Sequence, residues 1–388
     1  MKLNIRKEIQ AISNEIIDYR RDFHKYPELS FKEFRTAEKI SSYLSDFNIP
    51  HKTKIGKTGI VADLDFGDGP TIALRADMDA LPIQETGDLD YKSDNPGVMH
   101  ACGHDGHMAI LLGVANILSN YKKLNKGKIR LIFQPAEEGG GGAKYMIKDG
   151  CLEGVNEIYG LHLWNYQPIG EVGIKDGPIM AAADIFDITV KGKGGHGATP
   201  QGTVDAIIVA SHLVTMLQTI VSRNTNPLEN TVLTIGQFNG GENFNVISNE
   251  VRLTGTTRAY TIENQKMIKN RMKDIINGVS KSFNCEIKLK YKEGYPPTIN
   301  HEHPSKNILK ASTQVVGDGA GSPYLSMGGE DFSFYLQNKP GCFFFIGSAP
   351  NPKDTLSTPH HCSHFDIDER ALLIGSSVFL NLLDNVLT

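Results

Sequence analysis

Apolar positions recur at helical spacing at the start of the chain. Ile9, Ile12, Ile16 and Ile17 share one face of a predicted helix that Pro27 ends. A second helix is expected from Ala37 to Leu44. Strand and helix patterns then alternate. Gly59–Phe66 and Thr71–Ala76 read as strands, Asp105–Tyr121 as an apolar helix and Lys128–Gln134 as a strand. Ala143–Lys148 reads as a short helix and Glu157–Leu163 as a buried strand. Such interleaving predicts an α/β fold with a mostly parallel sheet covered on both faces.

The pattern changes near Ala183. In Asp184–Lys191 the apolar Phe186, Ile188 and Val190 alternate with Ile185, Asp187 and Thr189, which predicts a strand. Thr203–Arg223 is a long helix with Val204, Ile207, Ile208, Val214, Leu217 and Val221 on one stripe. Thr231–Phe238 and Glu250–Ala259 follow as strands. Thr261 can cap a helix that reaches Phe283, and Glu286–Tyr291 is a last strand. The order β-α-β-β-α-β is a self-contained ferredoxin-like plan. Residues 184–292 are therefore expected to form an inserted domain. The first domain, residues 1–183 and 293–388, resumes with helices at His303–Val315 and Glu369–Val386 and a strand at Gly341–Gly347.

Composition narrows the class. A chain of 388 residues suits one large domain or two ordinary ones. Lys and Arg number 40 against 44 Asp and Glu, a net charge of −4, so no basic field points to nucleic acid. The longest apolar runs, such as Ala109–Ala115 and Phe343–Ile346, fall short of the roughly 20 residues that span a bilayer. The mixed Lys, Glu, Ile and Asn start has no apolar core of a signal peptide. Five cysteines without framework spacing fit a reducing cytoplasm. Cys151, Cys285 and Cys342 read as small buried hydrophobes.

Four polar clusters carry the chemistry. The densest is His100-Ala-Cys102-Gly-His104-Asp-Gly-His107, a thiol and three imidazoles of the kind zinc and its neighbours prefer. It opens the apolar helix, where the helix dipole is expected to lower the thiol pKa. Next, Glu137-Glu138 ends the strand Lys128–Gln134, at the edge where open α/β sheets place ligands. Adjacent carboxylates point different ways, so one can bind metal while the other serves as a base. His162 ends another apolar strand; a lone histidine there is otherwise a satisfied core residue. The fourth cluster is His360-His361-Cys362-Ser-His364, otherwise an exposed polar loop. Cys102, His104, Glu138, His162 and one of His360 and His361 make five ligands of S, N and O type. That is too many for one catalytic zinc and suits two metals about 3.5–4 Å apart.

These segments resemble the aminoacylase-like co-catalytic metallopeptidases. The resemblance rests on Arg75-Ala-Asp77-Met-Asp79-Ala-Leu-Pro82, Met99-His-Ala-Cys102-Gly-His104-Asp-Gly-His107, Gln134-Pro-Ala-Glu137-Glu138-Gly, Gly194-Gly-His196-Gly and Asn245-Val-Ile, in order over essentially the whole chain. The branch is that of hippurate hydrolases, plant indoleacetyl-amino-acid hydrolases and bacterial N-acetyl-diaminopimelate deacetylases. The resemblance implies a zinc-exopeptidase-like catalytic domain interrupted by a ferredoxin-like lid or dimerisation domain. It implies metal ligands at Cys102, His104, Glu138, His162 and His361, the last chosen by its position four residues before Phe365. It implies two divalent ions, Zn or Mn, with Co as a further option. Glu137 becomes the general acid/base. Asp77 is assigned to orienting a ligand imidazole. Arg75 stands where other branches have a histidine, and Cys102 stands in for their bridging Asp. His196 is implied to stabilise the oxyanion, sometimes across a dimer interface, and Asn245 to meet the substrate backbone. Arg258 is the choice for the substrate carboxylate, with a structural ion pair as the other reading. Gly328-Gly-Glu330-Asp331-Phe332 has no assigned role beyond shaping the pocket floor.

The expected activity is hydrolysis of an N-acyl-amino acid, N-acetyl, benzoyl or similar. The partners are then a small molecule and a second copy of the chain, with neither nucleic acid nor membrane. A small-peptide carboxypeptidase or dipeptidase is the neighbouring alternative. A silent metal-dependent binding protein is the alternative from another class.

Overall fold

The structure, a computed structural model, describes residues 3–388. The chain divides into two compact units. One holds the residues up to Ile179, Ile299–Leu325 and Asp331–Thr388; the other holds Met180–Thr298 and Ser326–Glu330.

The first unit is built on an eight-stranded mixed sheet. Four central strands run parallel: Lys128–Gln134, Thr71–Asp77, Glu157–Pro168 and Gly341–Ala349. Beyond them lie Gly59–Asp65 and His51–Ile55, both antiparallel to their neighbours. The edge strand His51–Ile55 escapes the sequence pattern because its middle, Lys52-Thr-Lys54, is exposed and polar. Gly341–Ala349 is buried throughout, as a central parallel strand must be. Its residues split between faces. Phe344 meets Phe379 of helix Arg370–Leu387, while Phe345 stacks on Trp164 at 4.3 Å and Phe343 packs on Phe332. Helix His104–Leu118 is apolar nearly all round because it is packed by Ser13–Lys25 on one side and Arg370–Leu387 on another. The helix 370–387 and the stretch 206–224 are both long and apolar enough to cross a membrane by length and composition, and the former is 72% buried in the protein.

The second unit has a four-stranded antiparallel sheet in the order Thr231–Gly240, Glu250–Ala259, Ala182–Lys191, Glu286–Tyr295. Numbered along the chain this is 2-3-1-4, the ferredoxin-like arrangement. Phe186, Ile188 and Val190 pack with Val209, Leu213 and Leu217 of helix Ala206–Thr219 and with Ile268, Met272 and Ile276 of helix Ile262–Phe283. Thr261 caps the second helix by accepting the Asn264 N–H at 3.1 Å, as its residue type predicts. The first helix starts at Ala206 rather than Thr203, because Asp205 accepts the Ile207 and Ile208 N–H groups and is its cap.

Asp105 lies in the first turn of helix His104–Leu118. In the structure it is fully buried and pairs with Arg20 at 3.1 Å and His24 Nδ1 at 2.8 Å, while Glu85 lies 3.3 Å from His24 Nε2. Burial opposes a charged His24 ring, but Asp105 and Glu85 outweigh it and raise the pKa from 6.5 to about 9. The folded state thus holds that proton more tightly than the unfolded chain does. The stabilisation, about 3 kcal/mol, is fully present below about pH 6.5 and is lost as pH rises through about 9. Urea unfolding of the wild type from pH 6 to 10 should show this loss, and His24→Gln should flatten it.

Candidate metal centre

The proposed ligands come from four separate segments. Gly103 adopts φ +89°, a left-handed conformation that glycine enters freely, so Cys102 and His104 lie on either side of a sharp turn into helix His104–Leu118. Glu137 and Glu138 follow strand Lys128–Gln134. His162 lies inside strand Glu157–Pro168, not at its end as the apolar run suggested, since pairing continues past Leu163. His361 is brought in by a hydrogen bond from its own N–H to the Ala101 carbonyl at 2.8 Å, on a backbone with φ +66°.

These residues converge. Ligand atoms of Cys102, His104 and His162 lie within 4.8 Å of one another, and so do those of Cys102, Glu138 and His361 and those of His104, Glu137 and Glu138. Cys102 Sγ is 3.5 Å from His162 Nε2, and His361 Nε2 is 3.3 Å from Glu138 Oε1. Each buried ligand imidazole has its other nitrogen occupied. His104 Nδ1 donates to the Asp79 carbonyl at 2.7 Å, and His162 Nδ1 donates to the Leu163 carbonyl at 2.6 Å. Both rings are thereby turned so that Nε2 presents its lone pair to the cluster.

Electrostatics mark the cluster as a place for positive charge. Burial pushes the Cys102 thiol well up, and Glu138 and Glu137 add to it. The expectation of a lowered thiol pKa at the helix start is thus reversed, because burial and two carboxylates outweigh the helix dipole. Burial opposes a proton on His104, yet Asp77 and Asp79 overcome this and raise it to about 10. His162 is held well below its ordinary value by burial and by His107. A cation at the cluster would invert the thiol's situation directly.

Two histidines of the dense motif do not join. His107 Nδ1 is 2.6 Å from Asp77 Oδ1, and its Nε2 accepts the Leu163 N–H at 2.9 Å, so neither nitrogen is free for a metal. His100 is buried, belongs to no ligand group, and is pushed down to about 3 by burial. The imidazole that Asp77 holds by a hydrogen bond is therefore His107, while His104 Nε2 is 3.5 Å from Asp77 Oδ2. Arg75 bonds Asp77 at 2.6 Å, Gln134 at 2.9 Å and Asp331 at 3.0 Å.

The scaffold under the acidic pair was not read from the sequence. Asp79 accepts the N–H groups of Glu137 at 2.9 Å and Glu138 at 3.0 Å. Glu33 accepts the N–H of Ala136, which has φ +54°, and the hydroxyl of Thr58. Asp331 accepts from Gln134 and from the Ala143 N–H, and its own N–H donates to Glu137 Oε1 at 3.3 Å. Asp331 thus has a definite place, where the sequence assigned its motif none. The signal available was the run Arg75-Ala-Asp77-Met-Asp79, whose alternating acids all turn out buried.

Three proposed substrate residues lie in the second unit. His196 and Asn245 are exposed neighbours: Val246 pairs with His196 in a short antiparallel ladder, and the Gly197 N–H donates to the Asn245 carbonyl at 2.8 Å. Arg258 donates to the Thr257 carbonyl at 3.0 Å and to Thr256 Oγ1. Among the described residues no carboxylate lies within 4.0 Å of it, although the charge of Asp184 acts on it.

The donor set fits a metal ion. His104 Nε2 and Glu138 Oε1 are buried without a hydrogen-bond partner, and both face a thiol and further imidazole nitrogens. Soft and hard donors around an adjacent carboxylate pair, Glu137 buried and Glu138 half-buried, at the end of a parallel sheet, define a metal-dependent amidohydrolase of metallopeptidase type. The chain belongs to peptidase family M20/M25/M40, whose profile matches residues 73–385. It is 43% identical over 377 residues to N-acetyl-L-cysteine deacetylase of Bacillus subtilis, covering 96% of this chain and 88% of that protein. It is 38% identical to IAA-amino acid hydrolase ILR1-like 4 of Arabidopsis thaliana, covering 96% and 86%. It also superposes with TM-score 0.85 on the Bacillus subtilis YXEP protein, a dinuclear metal-binding peptidase of the M20 family, at 33% identity over 97% and 99% of the two chains.

The turn that carries Glu137 and Glu138 closes on Gly142, where an added Cβ would lie 1.7 Å from the Pro135 carbonyl oxygen. Gly142→Ala should therefore shift this turn and weaken metal binding roughly tenfold or more, measured by calorimetric titration of the apo-protein.

Proposed function

We propose that the protein hydrolyses N-acyl-amino acids, with N-acetyl, benzoyl or similar acyl groups, to a carboxylate and a free amino acid, using two divalent ions. The observation that carries this reading is the division of labour around one turn. Glu138 reaches the donor set with Cys102 and His361, while Glu137 lies buried beside His104. Two donor triads share Cys102: one with His104 and His162, the other with Glu138 and His361. That sharing supports a pair of ions. Thiolate and imidazole favour zinc, and the carboxylate tolerates manganese, with cobalt as a further option.

Two divalent cations, when bound, supply Lewis acidity and bring water ionisation toward neutral pH. The chain's own residues supply the rest. Glu137 accepts the proton of the attacking water and returns it to the leaving amine. Its carboxylate is steadied by the Asp331 N–H and its backbone by Asp79. His196 donates to the developing oxyanion, Asn245 binds the substrate's polar backbone, and Arg258 takes the substrate carboxylate. The exposure of His196 and Asn245 and the lack, among the described residues, of a carboxylate within 4.0 Å of Arg258 support these roles. A homodimer through the inserted unit is part of the reading, supported by exposed Ile208 and Met216 on one helix and Phe238 on an edge strand. A cytoplasmic location is supported by five free cysteines.

A small-peptide carboxypeptidase is the second reading, favoured by 37% identity over 377 residues to thermostable carboxypeptidase 1 of Saccharolobus solfataricus. A mass-spectrometric panel of N-acyl-amino acids and dipeptides, run with Zn, Mn and Co, separates the two. Release of amine from neither set by the fully loaded protein would point to a silent binding protein. Glu137→Gln should keep its metal content and lose roughly 10²–10⁴-fold in kcat. Near-normal turnover in that variant would remove Glu137 from the mechanism.

A further inference from the structure

His360 sits beside the ligand cluster without belonging to it. Its Nε2 accepts the backbone N–H of Asn165 at 3.2 Å. That bond uses the lone pair a metal would need, and it leaves the ring hydrogen on Nδ1. Nδ1 in turn faces Cys102 Sγ at 3.9 Å. The donor that sets this tautomer is itself fixed. The Asn165 side chain donates to the carbonyls of Thr358 and Asp366, each at 2.8 Å, and accepts the Ser348 hydroxyl at 2.8 Å. The ring has little room to turn. It packs against His162 at 5.2 Å, Trp164 at 4.9 Å, Tyr166 at 5.3 Å and Phe365 at 5.0 Å between centroids.

We propose that His360 is a positioning residue for the metal centre, whose Nδ1–H donates to the Cys102 thiolate and so aims the sulfur and draws charge from it. This rests on the reading of Cys102 as a ligand. The adjacent histidines then divide the work by backbone direction. His361, at φ +66°, turns its ring to Glu138, while His360 turns back against Trp164 and Cys102. A donor on one sulfur lone pair lowers the energy of the others, which a bound ion with a partly filled d shell reports optically.

Cobalt(II)-loaded wild-type protein should show a sulfur-to-cobalt charge-transfer band. In His360→Phe, which keeps a flat ring but has no donor, the band should move to lower energy. Cobalt should also bind roughly tenfold or more weakly. His360→Gln retains an acceptor for the Asn165 N–H and a donor for sulfur, and should return the band and the affinity toward wild type. An unshifted band with wild-type affinity in folded His360→Phe overturns the proposal. Cobalt bound by the wild type without any such band would instead overturn Cys102 as a ligand, and the proposal with it. Nitrogen-15 NMR of zinc-loaded wild type needs no variant to fold. His360 should carry its proton on Nδ1, and a proton on Nε2 overturns the proposal.

Discussion

Asp79 ties three separate parts of the chain into one body. Its Oδ1 accepts the Glu137 N–H, and its Oδ2 accepts the Glu138 N–H and the Ser30 hydroxyl. Its backbone carbonyl accepts His104 Nδ1–H. Hydrogen bonds to a charged group are worth about 1.5–3 kcal/mol each, which applies to the three donors on the Asp79 carboxylate. The acidic turn, the start of the site helix and the N-terminal loop are thereby held in fixed relation. The ring of His104 and the backbone of the acidic turn take their placement from Asp79, while Asp331 steadies the Glu137 carboxylate. Ligand atoms need this support because a small misplacement costs much of a metal site's affinity.

The second constraint is charge. Asp77, Asp79, Glu137 and Asp331 are buried close together, and Arg75 is the guanidinium set among them. Asp331 is raised to about 6, chiefly by burial, although Arg75 opposes the rise. Cys102 is pushed up and His104 is raised to about 10. All three changes favour the binding of a proton; Cys102 and His104 belong to the proposed donor set, and Asp331 lies beside Glu137. Buried acids without compensation are costly. Arg75, His107 and backbone N–H groups supply that compensation for Asp77, Asp79 and Asp331.

Much of this was legible beforehand, for local reasons. The alternation of Phe186, Ile188 and Val190 marks a half-buried strand, and Thr261 marks a helix start, because both depend on near neighbours in sequence. The ligand candidates Cys102, His104, Glu138 and His162 could be named because thiol, imidazole and carboxylate side chains coincide in a few short polar clusters. What escaped was whatever depends on a distant partner. The edge strand His51–Ile55 is made by pairing with Gly59–Asp65, not by its own polar residues. Asn165, beyond the strand read from the sequence, makes its side-chain contacts with Ser348, Thr358 and Asp366.

The sequence by itself determined most of the element types, the α/β class, the ferredoxin-like order of the inserted strands and helices and the chemical kinds of donor. Those follow from periodicity and side-chain chemistry, which are local. Only the tertiary structure decided which nitrogen of each histidine is free. His104 and His162 keep Nε2 for the cluster because carbonyls take their other nitrogens. His107 has both nitrogens engaged, and the Nε2 of His360 is taken by a backbone N–H. In the sequence these four imidazoles are equivalent. Hydrogen bonds that form only in the folded chain make them different and set which rings turn a lone pair to the cluster.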